Sequence, residues 1–319
     1  MPKSDDFVEV TDPHRRELFA HCYRMMGSLH EAEDLVQETY LRAWRGYADF
    51  QGRSSVRTWL YVIATRACLN ALERHDRRTL PYGLGPPNQA PYGSLGDPLA
   101  ENLWLQPFPD ALAANDPAEV AVTRSRTRLA MIVALHTLSA RERAAVILRD
   151  VLAWPAAEVA SALETSTAAV NSSLQRARAR IADAEPQEDE IIEPDDPLGR
   201  ATLDRYIAAF NDADMKLLVS ILREDVSVEM PPIPAWFAGV DAVGAFLAGR
   251  ASYADQWRLF PEAANGQFAA AAYLRDVDGI HCAHSIQVLT TSKTGIVRVV
   301  AFRDPELFTY FGRPSYLSR

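Results

Sequence analysis

The chain has 319 residues, of which 48% are hydrophobic and 24% are charged, and it carries a formal net charge of −9. This length allows two or three small domains that each bury a core. The sequence contains no run approaching the ~18 apolar residues of a bilayer span, and no signal peptide opens it. We therefore expect a cytoplasmic protein with no membrane partner. The three cysteines lie far apart in apolar surroundings, which predicts reduced, buried thiols rather than a disulfide framework or a metal site.

The negative charge is concentrated in one short segment. Residues 1–180 carry 21 Lys+Arg against 21 Asp+Glu, whereas residues 183–196 contain eight acidic residues and no basic one. Residues 197–319 are again nearly balanced, with 12 basic and 13 acidic residues. A proline-containing acidic run repels itself and resists packing, so it predicts a linker.

Composition and periodicity divide the chain into five segments. Two all-α modules are predicted, and they are followed by an α+β module with strands near Val226–Met230, Phe268–Leu274, His284–Thr291 and Ile296–Phe302. The predicted boundaries are 12–80 for the first helical module, 81–117 for a Pro/Gly-rich linker, 118–184 for the second helical module, 185–197 for the acidic linker and 198–319 for the α+β module.

The first chemical motif is the helix that follows Gly27. Ser28 and Glu31 have the spacing of a capping box, and acidic and basic residues line the face opposite the apolar stripe. Periodicity alone is satisfied by an ordinary amphipathic helix with a solvated face. The string from Glu31 to Arg45, however, closely resembles the polymerase-binding helix of bacterial sigma factors of the extracytoplasmic-function type. That resemblance implies docking on the clamp helices of core RNA polymerase by Glu31, Asp34, Gln37, Glu38 and Arg42.

The next helix carries a candidate surface for unpaired DNA. Its apolar stripe is predicted to be Val56, Leu60, Ile63, Ala67 and Ala71, with an aromatic and several cationic or amide side chains beside it. Bases stack on aromatic rings while cations hold phosphates. The segment from Phe50 to Tyr61 also resembles the promoter-melting segment of the same family. The helix pattern predicts contacts to unpaired DNA by Trp59, Arg66, Asn70 and Arg77. The resemblance implies that Tyr61, Arg66, Asn70 and Arg74 read or hold the minus-ten element.

The second helical module has the pattern of a helix-turn-helix. Ser139 and Glu142 form another predicted capping box, and Ser166 is the predicted N-cap of the recognition helix. The string from Ala169 to Arg178 resembles the region that reads the minus-thirty-five element in this family. It implies DNA contacts by Asn171, Ser172, Gln175, Arg176 and Arg178. The family usually has glycine in the turn where this chain has Glu164, so we expect a rearranged turn.

The C-terminal segment resembles the cone-shaped α+β fold shared by polyketide-cyclase-like (SnoaL-like) and ketosteroid-isomerase-like (NTF2-like) proteins. The resemblance lies in Leu203–Asn211, Asp214–Leu222 and Val226–Pro232. A small-ligand pocket is predicted, lined by Met230, Trp236, Phe237, Trp257, Tyr273 and His284; the alternative is that these side chains only fill the core. His281 and His284 have an odd spacing that places them on opposite faces of a strand, which argues against a shared metal or an acid–base pair.

The sequence therefore predicts a sigma factor rather than an enzyme, with no cofactor, whose partners are core RNA polymerase, promoter DNA and a small ligand of the C-terminal module. Trp104–Asp110 in the first linker resembles a motif of the subgroup that has such an appended domain, and we expect it to dock on the C-terminal module. The acidic run 183–196 is either an electrostatic shield for Arg176, Arg178 and Arg180 or a plain tether. Two alternatives remain: a cyclase- or isomerase-type enzyme with a DNA-binding extension, and a conventional helix-turn-helix regulator.

Overall fold

The computed structural model describes residues 4–73, 78–100, 103–113, 128–184, 191–193, 195–251 and 255–318. The chain forms two compact units: a helical unit, Met1–Arg78 with Leu112–Pro186, and an α+β unit, Thr79–Ala111 with Gln187–Arg319. Within the described ranges no helix is long and apolar enough to cross a membrane.

The first module of the helical unit is built from helices that end and begin at the predicted signals. Gly27 has a φ of 71° and closes the second helix, and the side chain of Ser28 accepts the amide hydrogen of Glu31 at 3.4 Å to start the third. The four helices are α1 (Ser4–Thr11), α2 (Arg15–Met26), α3 (Leu29–Gly46) and α4 (Val56–Leu72).

The buried face of helix α4 differs from the predicted apolar stripe. Leu60 and Ala67 are buried as expected, but Val56, Ile63 and Ala71 are only half-buried. The buried side instead includes Tyr61, Ala64, Thr65 and Cys68. The reason is a second packing partner: the ring of Trp154, from the second module, meets Tyr61 edge-on with centroids 6.1 Å apart.

The second module contains the predicted helix-turn-helix. Its helices are α5 (Leu129–Thr137), α6 (Ala140–Val146, continued by a π-helical turn at Ile147–Val151), α7 (Ala156–Ala162) and α8 (Thr167–Ala184). The Ser139–Glu142 capping box is confirmed, and Ser166 Oγ accepts the amide hydrogen of Ala169 at 3.2 Å. Glu164 adopts the left-handed conformation, with φ 52°, which costs a non-glycine residue about 1 kcal/mol. The expectation of a rearranged turn was therefore wrong.

The two helical modules are joined through a buried arginine. The Arg143 side chain is 2% exposed, and its guanidinium donates to the carbonyl oxygens of Leu135 at 3.0 Å and Leu138 at 3.5 Å. It also donates to the carbonyl oxygen of Met25 at the end of α2. Because a buried cation must be fully hydrogen-bonded, these bonds fix α6 against the first module.

The α+β unit is a six-stranded sheet packed against helices, so the predicted fold class is confirmed. The strand order is β2-β1-β6-β5-β4-β3; β1 and β6 are parallel and the other neighbours antiparallel. The strands are β1 (Leu222–Met230), β2 (Ile233–Ala238), β3 (Trp257–Ala264), β4 (Gln267–Arg275), β5 (His281–Ser292) and β6 (Gly295–Phe302), and the helices are α9 (Pro197–Asn211), α10 (Met215–Ser220), α11 (Val240–Ala251) and α12 (Leu307–Tyr310). The core lies between the sheet and the helices.

Part of the predicted first linker packs on the α+β unit as a strap, defined here as residues 79–111. The Phe108 amide donates to Asn265 Oδ1 at 2.9 Å, and the Asn265 amide donates back to the Phe108 carbonyl at 2.8 Å. Trp104 and Leu105 are also buried, at 3% and 1% exposure. The predicted docking of the Trp104–Asp110 segment on the C-terminal module is thus confirmed.

The cysteines only partly follow the sequence prediction. Cys22 and Cys68 are buried free thiols, but Cys282 is partly exposed at the start of β5. Among the described residues no three His, Cys, Asp or Glu side chains are grouped as metal ligands.

Candidate promoter and polymerase interface

Helix α3 presents a mixed polar and apolar surface, which we call the α3 face: Asp34, Gln37, Glu38, Leu41 and Arg42. All are solvent-accessible; Glu38 and Arg42 form an i,i+4 ion pair at 2.6 Å, and Leu41 is 52% exposed between charged neighbours. A single exposed leucine is ordinary on a protein surface, so the α3 face is distinguished by its combination of acidic, basic and apolar side chains.

Glu31 is placed differently from the rest of the predicted polymerase-binding set. Its side chain is 23% exposed and pairs at 2.7 Å with Arg78, which is 8% exposed. Because it lies in the first turn of α3, its charge also favours the N-terminal end of the helix dipole. Glu31 therefore has a structural role at the start of α3 that the other four predicted residues do not share.

A surface depression of about 630 Å³ lies beside Trp59 at the start of α4. The Trp59 ring packs on Phe50 with centroids 4.8 Å apart. Three arginines and one aspartate supply the charges. The lining residues are Arg42, Gly46, Asp49, Phe50, Gln51, Arg53, Ser54, Trp59, Ile63 and Arg66. The result is a cationic recess with an aromatic wall.

The depression accounts for only part of the predicted minus-ten set. Trp59 and Arg66 line it, and Asn70 is exposed further along α4. Arg74 and Arg77 lie outside the described residues. The loop residues Phe50 and Arg53 also line the depression but were not predicted as contacts. Both belong to the segment from Phe50 to Tyr61 that resembles the promoter-melting region.

Tyr61 is not at the surface. It is 1% exposed, and its hydroxyl donates to Glu17 Oε2 at 3.2 Å while the Arg57 guanidinium lies 5.1 Å from its ring centroid. Burial, reinforced by the Glu17 charge, raises the pKa of the phenol far above its ordinary value. In this packing of the two modules the Tyr61 side chain cannot reach a DNA base.

The second module also reaches the depression. Glu164 Oε1 lies 2.9 Å from a guanidinium nitrogen of Arg66, and both side chains are largely exposed. The left-handed residue in the helix-turn-helix turn thus pairs with an arginine predicted to hold the melted strand. Sequence spacing could not reveal this contact, because the two residues belong to different modules.

The recognition helix α8 exposes the predicted base-reading residues. Asn171, Ser172 and Gln175 are all exposed, and Ser172 Oγ donates to the Ala168 carbonyl at 3.0 Å. Because the Ser172 hydroxyl donates in this bond, its oxygen can still accept a hydrogen bond from a base. These side chains are short or medium in length, as is needed to approach base edges in the major groove.

The arginines of α8 are held by acidic residues of the same module. Arg178 makes a bidentate pair with Asp150, at 3.0 and 2.6 Å, and the hydrogen bond and charge of Asp150 raise the pKa of Arg178. Arg176 lies 3.6 Å from Glu142, which also accepts from Arg180 at 3.0 Å. Burial opposes ionisation of Glu142, but hydrogen bonds from Ser139 and the two arginines hold its pKa below the ordinary value.

A cavity of about 300 Å³ lies inside the α+β unit. Of the six predicted pocket residues, Met230, Trp257 and His284 line it. The other three are engaged elsewhere: Trp236 donates to the Gly85 carbonyl at 2.9 Å, Phe237 stacks on Phe246 at 4.5 Å, and Tyr273 donates to the Pro314 carbonyl at 2.9 Å. His281 Nε2 contacts the Asp255 carbonyl at 3.1 Å, so the two histidines share no site.

Comparison with known proteins agrees with this architecture. The family model of sigma-70 region 2 matches residues 11–78, and that of sigma-70 region 4 matches residues 128–181. The chain is 47% identical over 316 residues to the ECF RNA polymerase sigma factor SigG of Mycobacterium tuberculosis, covering 98% of this chain and 85% of the relative. This chain belongs to the ECF sigma factors of RNA polymerase.

The similarity includes the α+β unit. ECF sigma factor SigJ of Mycobacterium tuberculosis is 29% identical over 312 residues, covering 92% of this chain and 91% of that protein. The crystal structure of SigJ matches 98% of this chain and 100% of its own, with a TM-score of 0.63 and 26% identity.

As a sigma factor, the protein binds core RNA polymerase and promoter DNA and directs transcription initiation. The relatives that match along the whole chain carry sigma-factor names, so the α+β unit belongs to an initiation factor rather than to an enzyme. The conventional-regulator alternative is also set aside, because region 2 accompanies the helix-turn-helix. Half of the acidic run, residues 185–190 and 194, lies outside the described residues, so its shielding role stays a prediction.

Proposed function

We propose that this ECF sigma factor divides initiation among three surfaces of its helical unit. The α3 face binds the polymerase clamp helices, the depression beside Trp59 holds an unpaired base of the minus-ten element, and α8 reads the minus-thirty-five element in the major groove. The observation that carries the proposal is the depression, because it joins an aromatic wall to Arg42, Arg53 and Arg66.

The depression has the chemistry that a melted strand requires. A base can stack against the Trp59–Phe50 pair, whose rings are 4.8 Å apart. Stacking on an aromatic side chain is worth about 1–3 kcal/mol per base. The surrounding arginines neutralise phosphates, so both parts of an unstacked nucleotide find a partner at one place. These gains offset the few kcal/mol that extrusion of a base costs.

The α3 face supplies binding to polymerase without competing with DNA. Asp34 and Glu38 give it an acidic character that DNA would repel, while Leu41 offers apolar area. Arg42 stands at the border, because it pairs with Glu38 and also lines the depression. Replacement of Glu38 and Asp34 is therefore expected to weaken core binding before it alters DNA binding.

The packed arrangement of the two helical modules is, in this proposal, a resting state. The minus-ten and minus-thirty-five elements lie about 25 base pairs apart, which is about 85 Å of duplex at 3.4 Å per base pair. A folded unit of roughly 150 residues is only about 40 Å across. Simultaneous contact with both elements therefore requires the modules to separate, which also breaks the Arg66–Glu164 pair and uncovers Tyr61.

We further infer that the α+β unit modulates this opening, since it holds the strap that covalently connects the two modules. The protein acts in the cytoplasm, where polymerase and promoter DNA meet. Run-off transcription with core polymerase should compare the full chain with a version that ends near Ala184. If the shortened chain loses activity, the α+β unit is required for initiation. If the shortened chain is more active, the α+β unit inhibits initiation. Identical activity of the two forms would contradict a modulatory role.

The promoter-melting surface can be tested with Trp59→Ala and Trp59→Phe in the full chain. We expect run-off from a duplex promoter to fall about tenfold or more in the alanine variant and to recover in the phenylalanine variant, because phenylalanine keeps a stacking face. Arg16→Gln, on an exposed part of α2 outside the depression, is the matched surface control. Core binding should be unchanged in all three. Equal activity of Trp59→Ala and wild type would refute the base-binding role.

Separation of the modules can be tested by energy transfer between dyes on cysteines introduced at the exposed residues Glu73 and Thr165, in a Cys282→Ser background. The transfer efficiency should be high in the free protein and fall on addition of core polymerase and a promoter fragment. An efficiency that stays constant in the active complex contradicts the resting-state proposal.

A further inference from the structure

The cavity of about 300 Å³ in the α+β unit is closed in part by the strap. Leu95 of the strap lines the cavity and packs against the core of the unit. The strap is fastened on both sides of Leu95: the Asn88 amide donates to the Trp236 carbonyl at 2.7 Å, and the Leu99 amide donates to the Pro232 carbonyl at 2.9 Å. The strap is therefore part of the cavity wall, together with the sheet and the helices.

Most of the cavity wall is apolar. Helices α9 and α11 and strands β1, β3 and β6 supply aromatic and aliphatic side chains to it. They include Phe210, Val228, Met230, Phe246, Trp257 and Val299. A volume of about 300 Å³ is at the lower end of the range for small-molecule sites, so the cavity suits a compact molecule with an apolar body.

One wall is polar, and its hydrogen bonds are connected. Tyr206 Oη donates to Gln287 Oε1 at 2.8 Å, which leaves Gln287 Nε2 as a donor towards Ser285 Oγ at 3.5 Å. The Ser285 hydroxyl then donates to His284 Nδ1, 3.1 Å away. Tyr206, Ser285 and Gln287 are between 0% and 5% exposed. A polar network buried this deeply is costly unless it is satisfied, and an apolar core would not need it.

A bulge in β5 brings these groups to the same wall. Ser285 pairs with Ala272 and Ala283 pairs with Tyr273, so His284 is an extra residue without a partner in the ladder. In a regular strand His284 and Ser285 would point to opposite faces, but both line the cavity. Bulges commonly re-aim side chains next to functional sites.

Two cavity-lining groups remain for a ligand. Gln256 has a buried amide oxygen with no hydrogen-bond partner among the described residues, and such an oxygen needs a donor or costs stability. Burial, with the nearby Arg303 charge, lowers the pKa of His284 to about 4, so the imidazole is neutral at pH 7. Because Nδ1 accepts from Ser285, the proton of the neutral ring is on Nε2, which makes no hydrogen bond to a described residue.

These two groups lie at the same end of the sheet. Trp257, the residue after Gln256, meets the His284 ring edge-on with centroids 4.9 Å apart. A ligand placed there has to donate to the Gln256 oxygen and to accept from the His284 ring. A hydroxyl group does both, because it carries one donor hydrogen and two acceptor lone pairs.

The charges of the wall favour an uncharged ligand. Arg303 is the charged side chain on the described lining, and it already has a partner, so it does not require an anion. The described lining contains no aspartate or glutamate that could accompany a cation. Burying an unpaired charge costs far more than burying a hydroxyl that is hydrogen-bonded.

We propose that this cavity binds a small uncharged molecule with an apolar body and a hydroxyl group, which donates to Gln256 Oε1 and accepts from His284 Nε2, and that the bound molecule stabilises the closed strap. The cavity has its volume with Leu95 in place, so a ligand adds contacts to the strap rather than displacing it. Any effect of the ligand on transcription rests on the proposed modulatory function of the α+β unit, but the binding itself does not.

Naphthol, methoxynaphthalene and naphthoate share one aromatic body and differ in their polar group, so they are suitable probes for calorimetric titration of the full chain at neutral pH. We expect saturable binding of naphthol, about tenfold tighter than that of methoxynaphthalene, because the methoxy oxygen accepts a hydrogen bond but cannot donate one. Naphthoate should bind most weakly, because its charge finds no unpaired partner in the cavity.

Four variants locate the binding groups. Gln256→Leu removes the acceptor and should abolish the preference for naphthol over methoxynaphthalene. Gln89→Leu, the same change at an exposed strap residue outside the cavity, should keep that preference. His284→Phe keeps an aromatic ring without a donor and should weaken both probes, since both accept from Nε2. Ala301→Leu narrows the cavity, should likewise weaken both probes, and serves if Gln256→Leu does not fold.

The strap provides a second readout through hydrogen–deuterium exchange. The Leu99 amide is protected by its bond to the Pro232 carbonyl, so its exchange reports detachment of the strap. Saturating naphthol should slow this exchange several-fold and leave exchange in α2, in the helical unit, unchanged. Unchanged exchange at Leu99 with bound naphthol would overturn stabilisation of the strap.

Other outcomes would overturn the site itself. They are absence of saturable naphthol binding, naphthoate binding at least as tight as that of naphthol, and a naphthol preference that survives Gln256→Leu. Undiminished binding by His284→Phe would remove His284 from the site. None of these assays contains polymerase or DNA, so failure of the ligand proposal is distinguishable from failure of the promoter proposal.

Discussion

The strap begins at a buried ion pair whose removal should be costly. Glu229, on β1, is 1% exposed and accepts from Nε of Arg298, on β6, at 2.7 Å, and a terminal guanidinium nitrogen of Arg298 lies 2.5 Å from the same oxygen. Its other oxygen accepts the amide hydrogen of Tyr82 at 3.0 Å, and the Arg298 guanidinium lies 4.8 Å from the Tyr82 ring centroid. One carboxylate therefore joins two parallel strands and the first turn of the strap.

Glu229→Gln keeps the shape of the side chain and removes its charge, which leaves Arg298 without its counter-ion. Breaking a buried pair costs about 3–5 kcal/mol, and Arg298 retains 18% exposure, so we expect about 3 kcal/mol, the lower end. With a urea m-value of about 2 kcal/mol/M, the midpoint of the α+β unit should fall by about 1.5 M.

Hydrogen–deuterium exchange in increasing urea, followed on peptides from β5, isolates the transition of this unit from that of the helical unit. Glu224→Gln, on an exposed part of the same strand, is the matched control and should change stability by less than about 0.5 kcal/mol. The double change Glu229→Leu with Arg298→Leu should cost less than Glu229→Leu alone. Equal midpoints for Glu229→Gln and Glu224→Gln would refute the reasoning.

Single contacts at His284, Arg178 and Gly199 should each have a measurable effect. The His284 pKa falls from 6.5 to about 4 on folding. Because the unfolded chain takes up a proton first, the free energy of unfolding should decrease as the pH falls from 6.5 towards 4, by about 3 kcal/mol in all. In His284→Gln the urea midpoint should therefore depend less on pH over that range. An unchanged pH profile would contradict this assignment. Asp150→Asn releases Arg178 from its bidentate pair. The affinity for duplex DNA at low salt should rise, and the slope of log K against log salt should steepen by about one. An identical slope would exclude a phosphate contact by Arg178. Gly199→Ala places a Cβ 2.2 Å from the Phe268 ring and should destabilise the α+β unit by about 1–3 kcal/mol in urea unfolding, and a neutral result would show that the ring can move aside.

Local signals in the sequence determined much of this protein. Capping residues at Ser28, Ser139 and Ser166 set where three helices begin, because a side-chain oxygen next to an unpaired backbone amide acts over a few residues only. Strands β1, β4, β5 and β6 were also predicted, because their continuous apolar or alternating patterns are local signals too. The family resemblance also lay in short contiguous strings, and it identified the sigma modules and the α+β domain.

Edge strands were the local elements that the sequence did not reveal. Strands β2 and β3 stand at the two ends of the sheet order and contain Pro234 and Pro261. Proline removes a ladder donor, so its presence argues against a central strand, but an edge strand tolerates it on its unpaired side. Only the pairing of β2 with β1 and of β3 with β4 therefore identifies them as strands.

Only the tertiary structure decided which side chains meet. Tyr61 lies on the buried side of α4 because Trp154 of another module packs there, and Arg66 finds Glu164 from a turn far along the chain. The cavity likewise depends on a bulge at His284 and on a strap residue, Leu95. Periodicity describes one element at a time, whereas accessibility and ion pairing depend on what the rest of the chain places against that element. For this reason the sequence predicted which helices act, and packing decided which of their residues are available.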